Sequence, residues 1–131
     1  MPSTTIDVRK RWSDDDVVAI IDAVHAALVA AFHIPENDKH VRLVEHLPHR
    51  LAYPPSLAQP DLMTLVTIDC FAGRSVDAKR ILYREIVRRL SACGIPADHI
   101  TITVRDVPME NWGIRGGQAG CDVNVGFDVN V

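Results

Sequence analysis

The chain has 131 residues and a mass of 14.5 kDa, which corresponds to one domain on a prior of about 150 residues per domain. Its composition, 47% hydrophobic and 24% charged, is that of a globular protein and excludes a disordered chain. The net charge of −3 and the aromatic content of 5% argue against a nucleic-acid partner, which needs a basic excess or stacking rings.

Cysteine usage and the absence of long apolar runs indicate the compartment. The three cysteines are an odd number without a CxxC pair, which is typical of reduced thiols in a cytoplasmic protein. No apolar run reaches the roughly 18 residues of a membrane span, and the first residues lack the pattern of a signal peptide. We therefore expect no membrane partner. We also expect that the first residues of the chain can take part in its chemistry.

The first half of the chain predicts a strand, a helix and a second strand. Residues 3–8 are short and rich in Thr, Ile and Val. Ser13 is a good N-cap for a helix that Pro35 ends, and residues 40–47 predict the second strand. Apolar residues at helical spacing give this helix one buried face: Val17, Ile20, Ile21, Val24, Leu28 and Ala31.

The second half repeats this order. Residues 62–71 predict a buried strand, Ser75 caps a second helix that ends at Gly94 and Pro96, and residues 99–105 alternate as a fourth strand. Matching landmarks recur about 60 residues apart, which indicates a duplicated β-α-β unit. The proposed repeats span about 2–48 and 62–108 of a single domain, 1–131, and are joined by a stiff, proline-rich connector.

These elements predict an α+β fold: a four-stranded mixed sheet with both helices on one face, plus short C-terminal strands. The helices share a face because β-α-β crossovers are right-handed. The other face of the sheet is left bare, and a small protein does not leave such a face in water. We therefore expect a closed homo-oligomer.

Two C-terminal stretches have patterns of their own. Residues 113–120 are rich in glycine, but the pattern that follows them is that of a strand, so they predict a turn or hairpin rather than a dinucleotide site. Residues 121–131 alternate strictly between apolar and polar or glycine, which predicts a strand pair or one long strand. No metal or cofactor is expected, because the histidines at 46 and 49 have no second ligand pair at zinc spacing.

The second residue, Pro2, is a candidate catalytic group. Removal of Met1 would leave Pro2 with a free secondary amine. An α-amino group titrates near pH ~8, and burial disfavours its cationic form. Such an amine is a competent general base near neutral pH.

Several motifs in the order of one known family make this more specific. They are Met1-Pro2 before a strand, the run 34–39 after the first helix, the run 72–75 before the second helix with 79–83 behind it, and the run 110–114. Over nearly its full length the chain resembles the tautomerase superfamily, in particular the malonate semialdehyde decarboxylase-like group. The resemblance implies a β-α-β duplication, a homotrimer and a proline-based active site near subunit interfaces.

The topology gathers three of the residues that match the family. Pro2 begins the first strand, Asp38 precedes the second, parallel strand, and Arg74 follows the third. If a twofold axis relates the halves, the third strand is antiparallel to the first, and all three residues lie at the same end of the sheet.

The resemblance assigns a role to each matching residue. Pro2 transfers a proton next to a carbonyl, and Arg74 binds a substrate carboxylate, the alternative being a surface salt bridge. Asp38 orients a water or holds Pro2 charged, unless it only caps its turn. Trp112 and Ile114 make the pocket apolar, unless Trp112 serves only in packing.

One departure from the decarboxylase pattern affects the expected reaction. That pattern often has a second arginine where this chain has Ala72, and a proline where it has Gly73. Decarboxylation then needs another group to polarise the carbonyl. Arg115 and Arg42 are candidates, although no motif supports either.

Two functions of different classes follow. The first is a tautomerase acting on small 2-oxo or 3-oxo carboxylic acids, with hydratase or decarboxylase activity as a further option. Tautomerisation needs a neutral Pro2, whereas the other two reactions favour a cationic Pro2. The alternative is a trimeric binding or structural module that keeps the fold without turnover.

Overall fold

A computed structural model describes residues 2–131. Its larger elements are β1 (Pro2–Arg9), α1 (Asp14–Phe32), β2 (Val41–His46), β3 (Thr64–Phe71), α2 (Val76–Ala92) and β4 (Ile100–Val107). Two short strands follow, β5 (Gly113–Ile114) and β6 (Gln118–Ala119). The predicted processing of Met1 lies outside the described residues.

Both helices begin as the sequence predicts, at serine caps. The Ser13 hydroxyl accepts a hydrogen bond from the Asp16 N–H, and the Ser75 hydroxyl accepts one from the Ala78 N–H, each at 3.1 Å. At its other end α1 stops at His33, whose φ of 55° is left-handed. The matching caps are what a duplication would give; the duplication itself stays a prediction.

The four long strands form one mixed sheet in the order β2-β1-β3-β4. The central strands β1 and β3 are antiparallel, and each pairs with its own outer strand in parallel. This is the arrangement that a twofold relation between the halves predicts. It brings the start of β1, the start of β2 and the end of β3 to one end of the sheet.

Both helices cover the same face of the sheet and form the core with it. Alternate residues of β1 and β3 are buried there, and the helices contribute their apolar stripes. The fully buried side chains of largest volume are Phe32, Phe71, Ile6, Ile20, Leu28, Ile68, Leu82, Ile86, Leu90 and Ile95.

The opposite face has no helix on it, but it is not an apolar patch. Asp7 Oδ1 lies 2.7 Å from His46 Nε2. Arg105 Nε and Nη2 donate to the two carboxylate oxygens of Asp69 at 2.6 and 3.1 Å. Thr5 and Thr67 lie opposite each other between these pairs. The predicted association through this face would therefore bury polar groups.

Two segments differ from the sequence predictions. Leu62, expected to begin the third strand, instead ends a 3-10 turn (Pro60–Leu62) with Pro60 at its first position, and β3 begins at Thr64. The tail from residue 121 forms no strand, so that prediction was wrong; only its alternation of half-buried and exposed residues persists. The predicted hairpin over 113–120 is confirmed as the antiparallel pair β5–β6.

Candidate active site

The three residues that carry the family resemblance lie at one end of the sheet. Pro2 opens β1 and is buried, paired in the ladder with Cys70 near the end of β3. Arg74 lies just beyond β3, and Asp38 is one of the charges that act on it. The three residues are far apart in sequence. The directions of the strands bring them to the same end of the sheet.

Arg74 is the most unusual of the three, because it is a nearly buried cation. Only 5% of the residue is exposed. Its Nη1 donates to the Phe71 carbonyl oxygen at 3.0 Å, whereas Nε and Nη2 have no hydrogen-bond partner within residues 2–131. Unpaired buried charges are costly, so this guanidinium has unused capacity for an anion. The alternative of a surface salt bridge does not describe this residue.

The surroundings of Arg74 act on its charge in opposite directions. Burial lowers the pKa of Arg74 below its usual value, while the Cys70 thiol and the carboxylates of Asp106, Asp38 and Asp128 raise it. Among the described residues, none of these groups is hydrogen-bonded to Nε or Nη2 of Arg74. The Nε–Nη2 edge of Arg74 is thus an unpaired donor pair of the kind that binds a carboxylate, while the nearby carboxylates oppose a further negative charge.

A small network at this end was not predicted from the sequence. Cys70 Sγ donates to Asp106 Oδ1 at 3.8 Å, and Lys79 Nζ donates to Asp106 Oδ2 at 2.8 Å. Burial raises the pKa of the Cys70 thiol to about 11, with Arg74 acting against the shift and Asp106 adding to it. The hydrogen bond to Asp106 raises the pKa of Lys79. Cys70 is thus a neutral thiol beside Pro2.

Asp38 lies in the turn between α1 and β2 and is mostly shielded from solvent. Its side chain is 15% exposed, and its Oδ1 lies 3.2 Å from His40 Nε2. Its backbone N–H donates to the Pro35 carbonyl oxygen at 3.0 Å, which closes the turn. The turn is therefore closed by backbone atoms, while the Asp38 carboxylate contacts the His40 ring.

A cavity of about 260 Å³ adjoins these residues. Its wall includes two sequence-predicted residues, Asp38 and Ile114, together with Arg115. Neither Pro2 nor Arg74 is part of this wall; both are buried. The remaining lining residues are Pro35, Asn37, Phe71, Val125 and Phe127. The cavity is thus bordered by one carboxylate, one cation and several apolar groups.

Trp112 lies outside this cavity. Its ring packs edge-on against Phe71 at 5.1 Å, and its Nε1 donates to the Val107 carbonyl oxygen at 3.2 Å. It lines a neighbouring groove with Asp69 and Arg105 instead. Trp112 therefore supports the cavity through Phe71, which matches the packing alternative more closely than the wall that we expected.

The two candidate replacements for a second arginine differ in position. Arg115 lines the cavity, and its Nη1 donates to the Asn124 carbonyl oxygen at 2.8 Å. Arg42 lies on the helix-free face, where it donates to Ser3 Oγ at 3.2 Å. Ala72 is exposed. Of the two, only Arg115 borders the cavity.

Comparison with known proteins gives this arrangement a family. A family model described as "Tautomerase enzyme" matches residues 38–115. The chain belongs to the tautomerase family. Its match includes Asp38 and Arg74 but begins after Pro2.

The chain is also similar to individual proteins, one of them a curated tautomerase. It is 36% identical over 58 residues to the 2-hydroxymuconate tautomerase of Comamonas testosteroni. This match covers 44% of this chain and 92% of that protein. Malonate semialdehyde decarboxylase superposes with a TM-score of 0.82 at 22% identity, over 93% of this chain and 99% of that one. A fused 4-OT solved as a symmetric trimer has a TM-score of 0.80 at 21% identity, over 90% and 95%. The structural matches establish the fold.

The described residues contain neither a metal-binding cluster nor a membrane-spanning helix. Among residues 2–131, no group of three or more His, Cys, Asp or Glu side chains is arranged to hold a metal ion. None of the described helices is long and apolar enough to cross a membrane. The residues that sequence reasoning missed are Cys70, Asp106, Val125 and Phe127; only the alternation of the tail hinted that the last two turn inward.

Proposed function

We propose that this chain is a tautomerase of small 2-oxo or 3-oxo carboxylic acids, with the amine of Pro2 as the proton carrier after removal of Met1. One observation carries the proposal: the buried Arg74, with two unpartnered nitrogens, lies at the same end of the sheet as Pro2. A substrate carboxylate would complete the hydrogen bonding of Arg74. The carbonyl end of a small substrate bound to Arg74 would then lie at the end of the sheet that carries Pro2 and Asp38.

The proposed reaction is an isomerisation that needs no other reactant. The Pro2 nitrogen accepts the proton of the enol hydroxyl and returns it to the other carbon of the enol double bond, so that the C=C bond becomes a C=O bond and the 2-oxo acid forms. Arg74 holds the carboxylate, and Asp38 orients a water or stabilises the protonated Pro2. Ile114 and the other apolar lining residues keep the cavity dry, and Trp112 supports them through Phe71.

The Pro2 proposal is tested by the ketonisation of enol-phenylpyruvate. We expect Pro2→Ala to lower kcat/KM by about 100-fold or more, because it replaces the secondary amine that transfers the proton. The matched control is Pro55→Ala, an exposed proline of the connector, which should keep full activity. Intact mass spectrometry of both proteins establishes that Met1 is absent. Turnover that is indifferent to Pro2→Ala would end the proposal.

Isomerisation is favoured over decarboxylation at this site. Ala72 offers no charge where the decarboxylase pattern has its second arginine, and Arg115 is tied to Asn124. Malonate semialdehyde should therefore be a poor substrate. In the pH–rate profile, activity lost below the pKa of Pro2 indicates a base, whereas activity lost above it indicates the cationic form that hydration and decarboxylation need.

We also propose that the chain assembles as a homotrimer with its sites near subunit interfaces. The helix-free face is available for a partner, and a fused 4-OT of the same fold is a symmetric trimer. Sedimentation equilibrium should give three times the chain mass of 14.5 kDa. A monomer in solution would contradict this assembly. A trimer that is inactive in every assay would instead favour the non-catalytic module.

A further inference from the structure

The C-terminal segment, residues 120–131, is held beside the site without joining the sheet. Two backbone carbonyls anchor it: that of Asn124 accepts from Arg115, and that of Val131 accepts from the Ser75 N–H at 2.9 Å. The Asn124 and Asp128 side chains each accept from the N–H two residues on, which fixes local turns. The segment thus follows one defined path although it has no ladder partner.

This path runs against the turn that carries Arg74. A Cβ added at Gly73 would lie 2.8 Å from Asn130 Oδ1 and 3.1 Å from the Val129 carbonyl oxygen. Gly73 also has a φ of 135°, which side-chain-bearing residues rarely adopt. The segment and the Arg74 turn are therefore in direct contact, so a displacement of one would displace the other.

Phe127, in the middle of this segment, links the cavity with the guanidinium. The Arg74 Cζ lies 5.9 Å from the centre of the Phe127 ring and 4.9 Å from that of Phe32. Phe32 is fully buried in the core, whereas Phe127 is half-buried and lines the cavity. Of these two rings, Phe127 is the one that a ligand in the cavity would meet.

We infer that Phe127 is a positioning residue, which with Phe32 holds the Arg74 guanidinium so that its Nε–Nη2 edge is ready for a carboxylate. The inference rests on the proposed role of Arg74 as the carboxylate site. Aromatic rings attract a cation without using its N–H groups, so they orient the guanidinium and leave its donors unoccupied. They also exclude water, which strengthens the ion pair with an incoming carboxylate.

A competing view of Phe127 makes the opposite prediction. If the ring were a plug that only blocks access to Arg74, its removal would tighten carboxylate binding. If it positions Arg74, its removal weakens binding, because the guanidinium gains freedom and water. The direction of the change therefore decides between the two.

The direct test measures the binding of phenylacetate, a carboxylate without a carbonyl to tautomerise, by titration calorimetry. Phe127→Leu keeps the apolar bulk and removes the ring, and it should weaken phenylacetate binding about tenfold. Phe127→Tyr restores the ring and should stay within about threefold of wild type. Val123→Ala is the matched control, since Val123 is a half-buried residue of the same segment outside the cavity wall, and it should change nothing.

Steady-state kinetics supply a readout that a merely structural role would not move. With enol-phenylpyruvate, Phe127→Leu should raise KM about tenfold and leave kcat within about twofold. A thermal melt that matches wild type establishes that the variant is folded. Phenylacetate binding that is unchanged or tighter in Phe127→Leu would overturn the inference, and so would failure of Phe127→Tyr to restore it.

The two proposals fail in different ways. If Arg74→Met leaves phenylacetate binding unchanged, the carboxylate site is wrong and the role of Phe127 is wrong with it. If binding depends on Arg74 but not on Phe127, only the present inference is wrong. If Pro2→Ala leaves turnover intact while Phe127→Leu still weakens phenylacetate, the proline mechanism is wrong and the positioning role stands.

Discussion

The chain contains two nearly buried arginines stacked on aromatic rings, and they differ in one respect. Arg9, at the far end of β1, lies 4.5 Å from the Tyr53 ring centre and uses all three guanidinium nitrogens. Its Nε and Nη2 donate to the Leu51 carbonyl oxygen, and its Nη1 pairs with Asp61 at 3.0 Å. Arg74, at the opposite end of the sheet, uses one nitrogen.

This difference separates a structural cation from a candidate functional one. Arg9 pins the connector to the sheet, and the protein itself satisfies its hydrogen bonds. Arg74 keeps two buried nitrogens without partners within residues 2–131, which costs stability unless something else binds there. Burial and ring stacking alone would not distinguish the two; the count of satisfied donors does.

The same substitution at both positions is the strongest way to break the comparison. Arg74→Met should lower kcat/KM for enol-phenylpyruvate by about 100-fold or more, because a bidentate charged contact is lost. Its melting temperature should stay the same or rise, since an apolar side chain replaces an unpaired buried charge. Steady-state kinetics and a thermal melt measure the two effects.

The matched variant, Arg9→Met, should do the reverse. It leaves the Leu51 carbonyl without its donors, and unfolding should become easier by about 2 kcal/mol. Little of this comes from Asp61, whose side chain is 64% exposed. Turnover per folded molecule should be kept. Equal losses of stability in the two variants would remove the distinction between the arginines.

A smaller effect sharpens the comparison through Cys70, which lies at the Arg74 end. Because burial raises the pKa of this thiol from 9.0 to about 11, the unfolded chain loses the proton first as pH rises. The folded state is therefore favoured below pH 9 and loses that advantage between pH 9 and about 11. The loss is about 2 kcal/mol.

Urea unfolding across this pH range measures the loss. Cys70→Ala should flatten the alkaline decline relative to wild type, after allowance for a packing cost that does not depend on pH. Arg9→Met should keep the decline, because it leaves the thiol in place. A Cys70→Ala protein that declines as steeply as wild type would assign the effect to another group.

Most of the fold could be predicted from the sequence because local signals agreed with one another. Serine caps indicated the helix starts, and β-type composition, an apolar run and one alternating pattern indicated the strands to within two residues. The first two residues of the predicted third strand, Leu62 and Met63, stand outside β3 because Pro60 begins a 3-10 turn. Here the local geometry of proline outweighed a continuous apolar pattern.

The tail was misread for a reason of a different kind. Its strict alternation reports burial on one side, and the structure has that alternation: Val123, Val125, Phe127 and Val129 are half-buried and their neighbours are exposed. Alternation does not supply a hydrogen-bonding partner, and a strand needs one. In the described structure, Asx turns at Asn124 and Asp128 take up the backbone bonds instead.

The candidate site could be predicted only in part. Strand direction was enough to bring Pro2, Asp38 and Arg74 to one end of the sheet. It could not reveal that Trp112 would pack behind Phe71, because that depends on side-chain packing at the end of the sheet. Nor could it reveal the ring of Phe127 beside Arg74, since the strand predicted for the tail had no assigned partner or place in the sheet. The catalytic roles of Pro2, Asp38 and Arg74 stay predictions.

The glycine before Arg74 constrains how this chain could be converted to other chemistry. Restoring the arginine–proline–arginine spacing of the decarboxylase pattern would put a proline at Gly73, yet proline is locked near φ ≈ −65° and the backbone there is at 135°. Its Cβ would also lie 2.8 Å from Asn130 Oδ1 and 3.1 Å from the Val129 carbonyl oxygen, so both would have to shift. A two-residue transplant therefore needs a different backbone at position 73, and a designer would have to adjust the last residues of the polypeptide together with it.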